Sequence, residues 1–434
     1  MKRIAFTGLL FLLFTGMAVS QEILALDQAV AIGLANNYGI IMAQNSNQVA
    51  HNNASPGNAG MLPEIGVNAG YVNGLSNVNV NVVSGAELNN SNAHSDLITA
   101  GVGLSWTLFD GLKMFITYDK LKRLEEMSEL SAKITIENTM ARIIGSYYEI
   151  IRQERVTLIF TEQVLISRFR LELATMRFET GTGSEMEYLK ARVELNADVA
   201  DLSNQQTLFE NSKTTLNDLL SRDVNTPFVV QDTILVSKLL QYDSLRSSMK
   251  TANRNLLLAI RNKQVGQLEL KTARANQWPT LGFYTNFNYY RSETEANFVQ
   301  YNRNFGPSFG LSLNMKLFDG LNLNREFKNA TIALETNDLE IKQIENRLEA
   351  YLARIYNDYQ NQIQMIGFEH ENLLLAKKSM DIAKEGYAVG SISSLQLREV
   401  QQDLLTAGTR LVTAEFKAKL TETELLLLSG KLIR

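Results

Sequence analysis

The chain has 434 residues, no cysteine, three histidines and a formal charge of −4. The absence of cysteine excludes disulfides, thiolate metal sites and cysteine nucleophiles, and three scattered histidines leave little for metal or triad chemistry. An acidic chain without a basic cluster is a poor nucleic-acid binder, because neutralising phosphates requires gathered lysine and arginine. Proline is scarce, with 5 residues, so long uninterrupted helices are permitted.

Residues 1–20 have the pattern of a signal peptide. Lys2 and Arg3 precede an apolar stretch too short to span a bilayer, and small residues follow it up to Ser20. The alternative is an uncleaved anchor helix, which needs roughly 20 apolar residues. We therefore expect the protein to be exported, and no later segment has the pattern of a transmembrane helix.

An internal repeat organises the remaining sequence. The motif at residues 108–112, Leu-Phe-Asp-Gly-Leu, recurs at residues 317–321, an offset of 209 residues. The same offset carries Gly181 onto Gly390, so the register persists over a long stretch. The repeat predicts a first copy at residues 21–222, a connector at 223–241 and a second copy at 242–434.

Each copy is predicted to contain a helix, two strands, a long helix and a further helix. In the first copy these elements cover Leu26–Asn52, Glu64–Val83, Ser95–Leu108, Lys113–Glu179 and Ser184–Ser221. In the second copy they cover Tyr242–Ala275, Thr280–Tyr290, Asn304–Leu317, Leu323–Val389 and Ser393–Ser429.

The predicted strands alternate between large apolar and small residues. Val102, Leu104 and Trp106 share one face of a strand, while glycine, serine and threonine occupy the other. Such alternation over about ten residues is typical of a transmembrane β-barrel. An ordinary half-buried sheet has the same period of two, so the strands alone leave both interpretations open.

The long helices favour the barrel interpretation. The stretch Leu323–Val389 would be about 100 Å long at ~1.5 Å per residue, far more than a globular domain of this size needs. Its apolar residues recur with an eleven-residue period, which favours straight or right-handed winding. Four strands per chain cannot close a barrel, and about eight fill their own interior with side chains. A hollow pore with every edge paired therefore requires at least three chains, or twelve strands.

The sequence resembles the TolC-like outer-membrane efflux protein family over nearly all of its mature length. The resemblance depends on the duplicated plan, on the turns at 108–111 and 317–320, and on the tip segments 178–182 and 387–391. It implies a mainly α-helical homotrimer with a twelve-stranded transmembrane β-barrel in the outer membrane and a long α-helical barrel crossing the periplasm. It also implies that the Asn-rich segment 84–95 and the stretch 291–304 are external loops.

The resemblance further implies a passive exit duct for efflux or secretion, without catalysis or cofactor. Its partners would be a periplasmic adaptor protein, an inner-membrane pump and the lipid of the outer membrane. The competing hypothesis is a non-pore periplasmic coiled-coil scaffold.

The turns between the paired helices are the candidate functional tips, because in this family they close the periplasmic mouth. Gly181 and Gly390 stand where a helix ends and a positive φ is needed. Ser184-x-x-Glu187 and Ser393-x-x-Gln396 are the capping-box patterns that begin the next helix.

The family places acidic residues at two gate positions just past the turn. The matching residues are Gln396 and Glu399 in the second copy, and Glu187 and Lys190 in the first. Glu399, with Arg398 beside it, is the preferred gate candidate. Alternatively, Glu187 and Gln396 act only as caps, and Glu399 lies on a solvated helix face.

Two further groups of residues have candidate roles. The candidates for contact with the adaptor are the tip residues Gly181, Thr182, Gly390, Ser391 and Ile392, although a merely short loop explains them equally well. Trp106 and Trp278 are the candidates for aromatic residues at the membrane interface.

Overall fold

The computed structural model describes residues 22–432, except 82, 84, 86, 232, 238, 239 and 296–298. The expected signal peptide therefore lies outside the described residues. The protein is mainly helical, with a four-stranded antiparallel sheet and a separate pair of short parallel strands.

The elements of the first copy are β1 (Glu22–Leu24), α1 (Leu26–Asn36), α2 (Tyr38–Asn53), β2 (Glu64–Asn81), β3 (Glu87–Phe109), α3 (Lys113–Glu179) and α4 (Glu185–Leu219). They are followed by β4 (Phe228–Val230), α5 (Tyr242–Ala252), α6 (Arg254–Ala275), β5 (Thr280–Thr294), β6 (Tyr301–Asn314), α7 (Asn322–Ala388) and α8 (Ser394–Leu428).

The first helix of each copy is broken by an asparagine, whereas the sequence predicted one continuous helix. Asn37 and Asn253 both have extended backbone, with ψ of 120° and 119°. The amide of Asn37 donates a hydrogen bond of 2.9 Å to the carbonyl of Leu219, and the amide of Asn253 donates one of 3.0 Å to Leu428. Leu219 and Leu428 are 209 residues apart, so each copy uses the same contact to satisfy a carbonyl at a helix end.

The connector between the copies contains a strand that pairs with the start of the described chain. β4 lies parallel to β1, a pairing that the sequence did not predict. The buried hydroxyl of Tyr147 donates to the carbonyl of Leu24 at 2.9 Å and accepts from the backbone N–H of Gln231 at 3.2 Å. This tyrosine therefore holds both strands of the pair to α3.

The repeated Leu-Phe-Asp-Gly-Leu motifs form the turns that lead from a strand into a long helix, as predicted. In both copies two consecutive residues have positive φ, namely Gly111 and Leu112, and Gly320 and Leu321. A Cβ on Gly111 would lie 2.6 Å from the carbonyl oxygen of Ala275, so glycine is required there.

The sheet has the strand order β2-β3-β5-β6, with antiparallel pairing throughout. β3 and β5 extend further than predicted, because β3 begins at Glu87 and β5 continues to Thr294. β6 begins three residues earlier than predicted and ends at Asn314 rather than Leu317. The prediction of external loops at 84–95 and 291–304 was therefore wrong for most of both segments. The start of β3 pairs with residues 78–81 of β2, where valine alternates with asparagine and preserves the period of two.

The cross-strand register places the large apolar side chains on one face of the sheet. Phe283, for example, lies between Trp106 and Leu311 in one row. The apolar face is open to its surroundings within one chain, and Phe309 is 81% exposed. It carries Ile65, Val67, Val102, Leu104, Trp106, Leu281, Phe283, Phe287, Tyr289, Phe305, Phe309, Leu311 and Leu313. The opposite face carries Gly66, Asn68, Gly101, Gly103, Ser105, Gly282, Asn286, Asn288, Asn304, Ser308, Gly310 and Ser312.

The chain forms two compact units, and each contains segments of both sequence copies. The first comprises Met1–Tyr38, Thr139–Leu240 and Ile355–Leu425, and the second comprises Gly39–Asn138, Gln241–Arg354 and Leu426–Arg434. The first unit has two apolar clusters, one around Ile143 and Leu220 and one around Tyr387 and Leu397. The sheet belongs to the second unit. Of the helices in the described part of the chain, none is both long and apolar enough to cross a bilayer.

Candidate functional site

The two helix-to-helix turns of the first unit have the same backbone geometry. In the first, the N–H groups of Thr182 and Gly183 both donate to the carbonyl of Arg177, at 2.9 and 2.8 Å. In the second, Ser391 and Ile392 donate to Gly386 in the same way, at 2.8 and 3.4 Å. The turn glycines adopt φ of 75° and 80°. The repeat seen in the sequence is thus repeated bond for bond at the tips.

Arg177 and Tyr387 connect the two turns. The guanidinium of Arg177 donates to the backbone carbonyl of Tyr387 and lies over its ring, 4.6 Å from the centroid. The hydroxyl of Tyr387 donates to a carboxylate oxygen of Glu187 at 3.1 Å. Burial raises the pKa of Tyr387, and the nearby charge of Glu187 adds to this effect, so the hydroxyl retains its proton.

The two capping boxes differ, although the sequence predicted the same arrangement in both copies. In the second copy the box is complete, because the Gln396 side chain accepts from the backbone N–H of Ser393 at 2.8 Å and Ser393 Oγ accepts from the N–H of Gln396 at 3.3 Å. In the first copy Ser184 Oγ accepts from the N–H of Glu187 at 3.2 Å. The Glu187 carboxylate instead faces Tyr387, with Arg177 at 3.9 Å.

The other gate candidates lie on exposed surface close to these turns. Lys190 is exposed and lines a cleft of about 350 Å³ together with Arg177 and Glu187. Glu399 is exposed on α8, and its carboxylate has no ion-pair partner among the described residues. Glu399 is therefore available to a second chain or to ions.

Arg398, the neighbour of Glu399, is directed into the chain. Two of its nitrogens donate to the carboxylate of Asp198 at 2.7 and 3.0 Å, a bidentate pair that joins α8 to α4. Asp198 is only 3% exposed and also accepts from the hydroxyl of Ser167 on α3. The guanidinium of Arg398 is thus already engaged by a buried carboxylate.

A second buried arginine belongs to the same polar cluster. Arg170 is fully buried and pairs with Glu194, whose carboxylate also lies 4.0 Å from Arg398. The side-chain nitrogen of Gln401 donates to Ser167 Oγ at 2.7 Å. This cluster was not predicted from the sequence. Its signal was the i, i+4 spacing of Glu194 and Asp198, which places two carboxylates on one helix face.

The small residues at the turns use their hydroxyls within the chain. Thr182 Oγ1 donates to the carbonyl of Arg177 at 3.3 Å, and Ser391 Oγ donates to Gly386 at 3.0 Å. Ile392 is partly buried and packs on the apolar cluster of Tyr387. Gly181 and Gly390 are both exposed.

Trp106 and Trp278, the candidates for aromatic residues at the membrane interface, lie in the second unit, at the end of the sheet away from the hairpin connections. Trp106 is on the apolar face, and its indole N–H donates to the carbonyl of Met61 at 2.9 Å. Trp278 is 63% exposed and immediately precedes β5. Across the described residues, no three His, Asp or Glu side chains are grouped closely enough to hold a metal ion.

A family model described as outer membrane efflux protein matches residues 32–222 and 245–431. The chain belongs to the outer membrane efflux protein family. The two matched segments are separated by residues 223–244. The protein is thus an outer-membrane efflux component.

Individual relatives are similar at low identity over most of their length. The outer membrane protein TolC of Vibrio cholerae is 20% identical over 364 residues, covering 82% of this chain and 79% of TolC. The solved outer-membrane channel OprN is 16% identical with a TM-score of 0.76, covering 93% of this chain and 89% of OprN. The Campylobacter jejuni channel CmeC is 16% identical with a TM-score of 0.76, covering 94% and 86%. These likenesses show the same fold.

Proposed function

We propose that the protein is a passive exit duct formed by three identical chains, with a twelve-stranded barrel in the outer membrane. The observation that carries this proposal is the four-stranded sheet. It has one apolar and one polar face, and within the described part of the chain each of its edge strands, β2 and β6, is paired on one side only. Unpaired strand edges are not tolerated in lipid. Three copies joined edge to edge pair every edge and turn the Asn- and Gly-rich face toward a water-filled lumen.

We further propose that residues 21–222 and 242–434 are duplicated halves around a connector at 223–241. The matching bonds of the two turns and of Asn37 and Asn253 support this division. The duct supplies no catalysis and no cofactor of its own. An inner-membrane pump provides the energy, and a periplasmic adaptor links the pump to the tips.

The gate lies at the tips in this proposal. Glu399 lines the narrowest part of the passage. Its exposed carboxylate keeps its charge unneutralised, because the neighbouring Arg398 is already paired with Asp198. Gln396 and Glu187 hold the turns in shape, and Lys190 lies on the wall of the neighbouring cleft. The tip backbone at Gly181 and Gly390, with Thr182, Ser391 and Ile392, meets the adaptor. Trp106 and Trp278 lie at the periplasmic interface of the membrane.

Two measurements on the protein purified in detergent test the duct. Mass determination is expected to give three chains per particle, and insertion into a planar bilayer is expected to give discrete ion conductance. A folded single chain that stays soluble without detergent would contradict the proposal and favour the periplasmic scaffold.

A further inference from the structure

Two arginines lie side by side on the outward face of the sheet. The register places Tyr71, Ile98, Arg291 and Arg303 in one row across β2, β3, β5 and β6. Arg291 is two residues beyond Tyr289 on β5, and Arg303 is two residues before Phe305 on β6. Because successive side chains of a strand point to opposite faces, this row lies on the same apolar face as the row of Tyr289 and Phe305. The apolar face therefore ends in a pair of positive charges.

The position of the row corresponds to the edge of a membrane. From the row of Leu281 to that of Arg291 is ten residues, or about 33 Å along a strand, which a strand tilt of roughly 40° reduces to about 25 Å across the membrane. The apolar band of an outer-membrane barrel is about 25 Å tall. In the proposed orientation the short β2–β3 and β5–β6 connections face the exterior, so the arginines lie at the headgroups of the outer leaflet.

The two arginines are only partly neutralised by the protein. Directly opposed like charges on neighbouring strands repel one another. Nε of Arg291 donates to the Glu293 carboxylate at 3.2 Å. Among the described residues Arg303 has no ion pair, and its guanidinium lies over the ring of Phe305 at 5.6 Å. Asp96, the carboxylate on the strand position opposite Glu293, accepts from Tyr71 and Asn73, at 2.6 and 2.8 Å.

We propose that Arg291 and Arg303 bind the phosphate group of an outer-leaflet lipid headgroup. The planar fork of a guanidinium fits two phosphate oxygens at once, and a shared anion removes the repulsion between the two arginines. Phe305 and Tyr289 lie beneath the phosphate and contact the first part of the acyl chains. This inference rests on the proposed function, because it needs the apolar face to lie in the membrane.

The test uses the detergent-purified full-length protein and, as probe, lipid A, a phosphorylated glycolipid, compared with its dephosphorylated form. Native mass spectrometry counts the bound lipid in wild type, in Arg303→Gln and in the double variant Arg291→Gln/Arg303→Gln. We expect about tenfold weaker retention of lipid A in Arg303→Gln, a still larger loss in the double variant, and no difference with the dephosphorylated lipid. The matched control is Arg347→Gln, which removes an exposed arginine of α7 and is expected to retain lipid like the wild type.

Arg303→Lys preserves the charge but not the fork, and is expected to retain an intermediate amount of lipid. Free inorganic phosphate, added as a competitor, is expected to displace little lipid, because the acyl chains also contribute. If inorganic phosphate alone displaced the lipid, the two arginines would form a simple anion site and not a lipid site. Equal retention of lipid A in all variants that still form conducting trimers would overturn the inference and leave the duct intact. If the wild-type protein showed no conductance, that result would instead contradict the proposed duct itself.

Discussion

The hydroxyl of Tyr387, at the end of α7, donates to the carboxylate of Glu187, at the start of α4, over 3.1 Å. This bond joins the two turns of one chain, and both residues belong to the same compact unit. Two helix pairs that come from different sequence copies are thereby fixed to each other at the candidate gate.

Replacing Tyr387 by phenylalanine is expected to loosen the two turns. The ring still lies under Arg177, so the change removes only the hydroxyl, with its hydrogen bond to Glu187 and its hydrogen bond with Ser394, at a cost of about 1 kcal/mol. Hydrogen exchange of the backbone N–H groups in both turns should become faster. Tyr188→Phe is the control, since that hydroxyl accepts only from Arg192 on its own helix. Unchanged exchange in Tyr387→Phe would show that the bond does not hold the turns.

Removing the charge of Glu399 is expected to change conductance without changing stability. Its side chain is exposed and has no ion pair among the described residues. The free energy of unfolding of Glu399→Ala should therefore lie within about 0.5 kcal/mol of that of the wild type. Single-channel conductance in a planar bilayer should rise, and the preference for cations should fall. Glu399→Gln separates charge from size. Conductance equal to that of the wild type in both variants would remove Glu399 from the gate.

In contrast to Glu399, Arg398 is expected to contribute to the stability of the fold. Arg398→Met leaves the carboxylate of Asp198 buried without its cation, which costs about 3–5 kcal/mol. The double variant Arg398→Met/Asp198→Asn removes both charges and should recover much of that loss. Thermal unfolding of the purified protein measures both. If the single and double variants were equally stable, the buried pair would have no role in holding α8 to α4.

Replacing either turn glycine, Gly181 or Gly390, by alanine is expected to destabilise the protein through backbone conformation alone. A Cβ on Gly181 meets nothing within 4 Å, and one on Gly390 meets only an Arg177 nitrogen at 4.0 Å. Alanine at either position therefore costs about 1–2 kcal/mol through positive φ rather than through a clash. Gly367→Ala is the matched control, because Gly367 is an exposed helical glycine with open space around it and should gain up to ~1 kcal/mol. Thermal unfolding distinguishes the three variants.

Acid is expected to weaken one contact in the second unit. Glu349 on α7 accepts from Lys250 at 2.8 Å and from Arg246 at 2.9 Å on α5, and these partners lower the pKa of Glu349. A lowered pKa in the folded state stabilises the protein above the ordinary glutamate pKa of about 4.3. This stabilisation disappears as the pH falls through the lowered value.

The variant Glu349→Gln should accordingly unfold at a lower temperature than the wild type near neutral pH, and the difference should vanish in acid. Added salt should reduce the difference as well, since the pair is partly exposed. Glu345→Gln, four residues earlier on the same helix, removes a carboxylate that has no ion pair among the described residues. A difference between wild type and Glu349→Gln that persists in strong acid would assign the effect to packing instead.

The long regular elements could be predicted from the sequence. The bounds of α3 agree with the prediction at both ends, because a 67-residue stretch without proline leaves no competing structure. The sheet faces were also predictable, since a period of two is unaffected by errors in strand length. The breaks at Asn37 and Asn253 were not, because each depends on a carbonyl that is about 180 residues away in sequence.

The candidate site was predicted only in outline. Gly181 and Gly390 had a local signal, the need for positive φ after a helix. The roles of Glu187 and Arg398 had none, because their partners Tyr387 and Asp198 come from the other copy and only tertiary packing brings them together. Polar residues at inward helix positions are the clue that such partners exist.

The two capping boxes of the duplicated chain have different roles, because equivalent side chains in the two halves bind different partners. A neutral glutamine completes the second box by itself, while the glutamate at the equivalent position leaves its own helix start half-capped and reaches across to Tyr387. Exchanging the two residues would keep composition and net charge constant and yet alter this one contact between the halves. Ancestral symmetry, where it is lost, thus marks the places at which the two halves came to depend on each other.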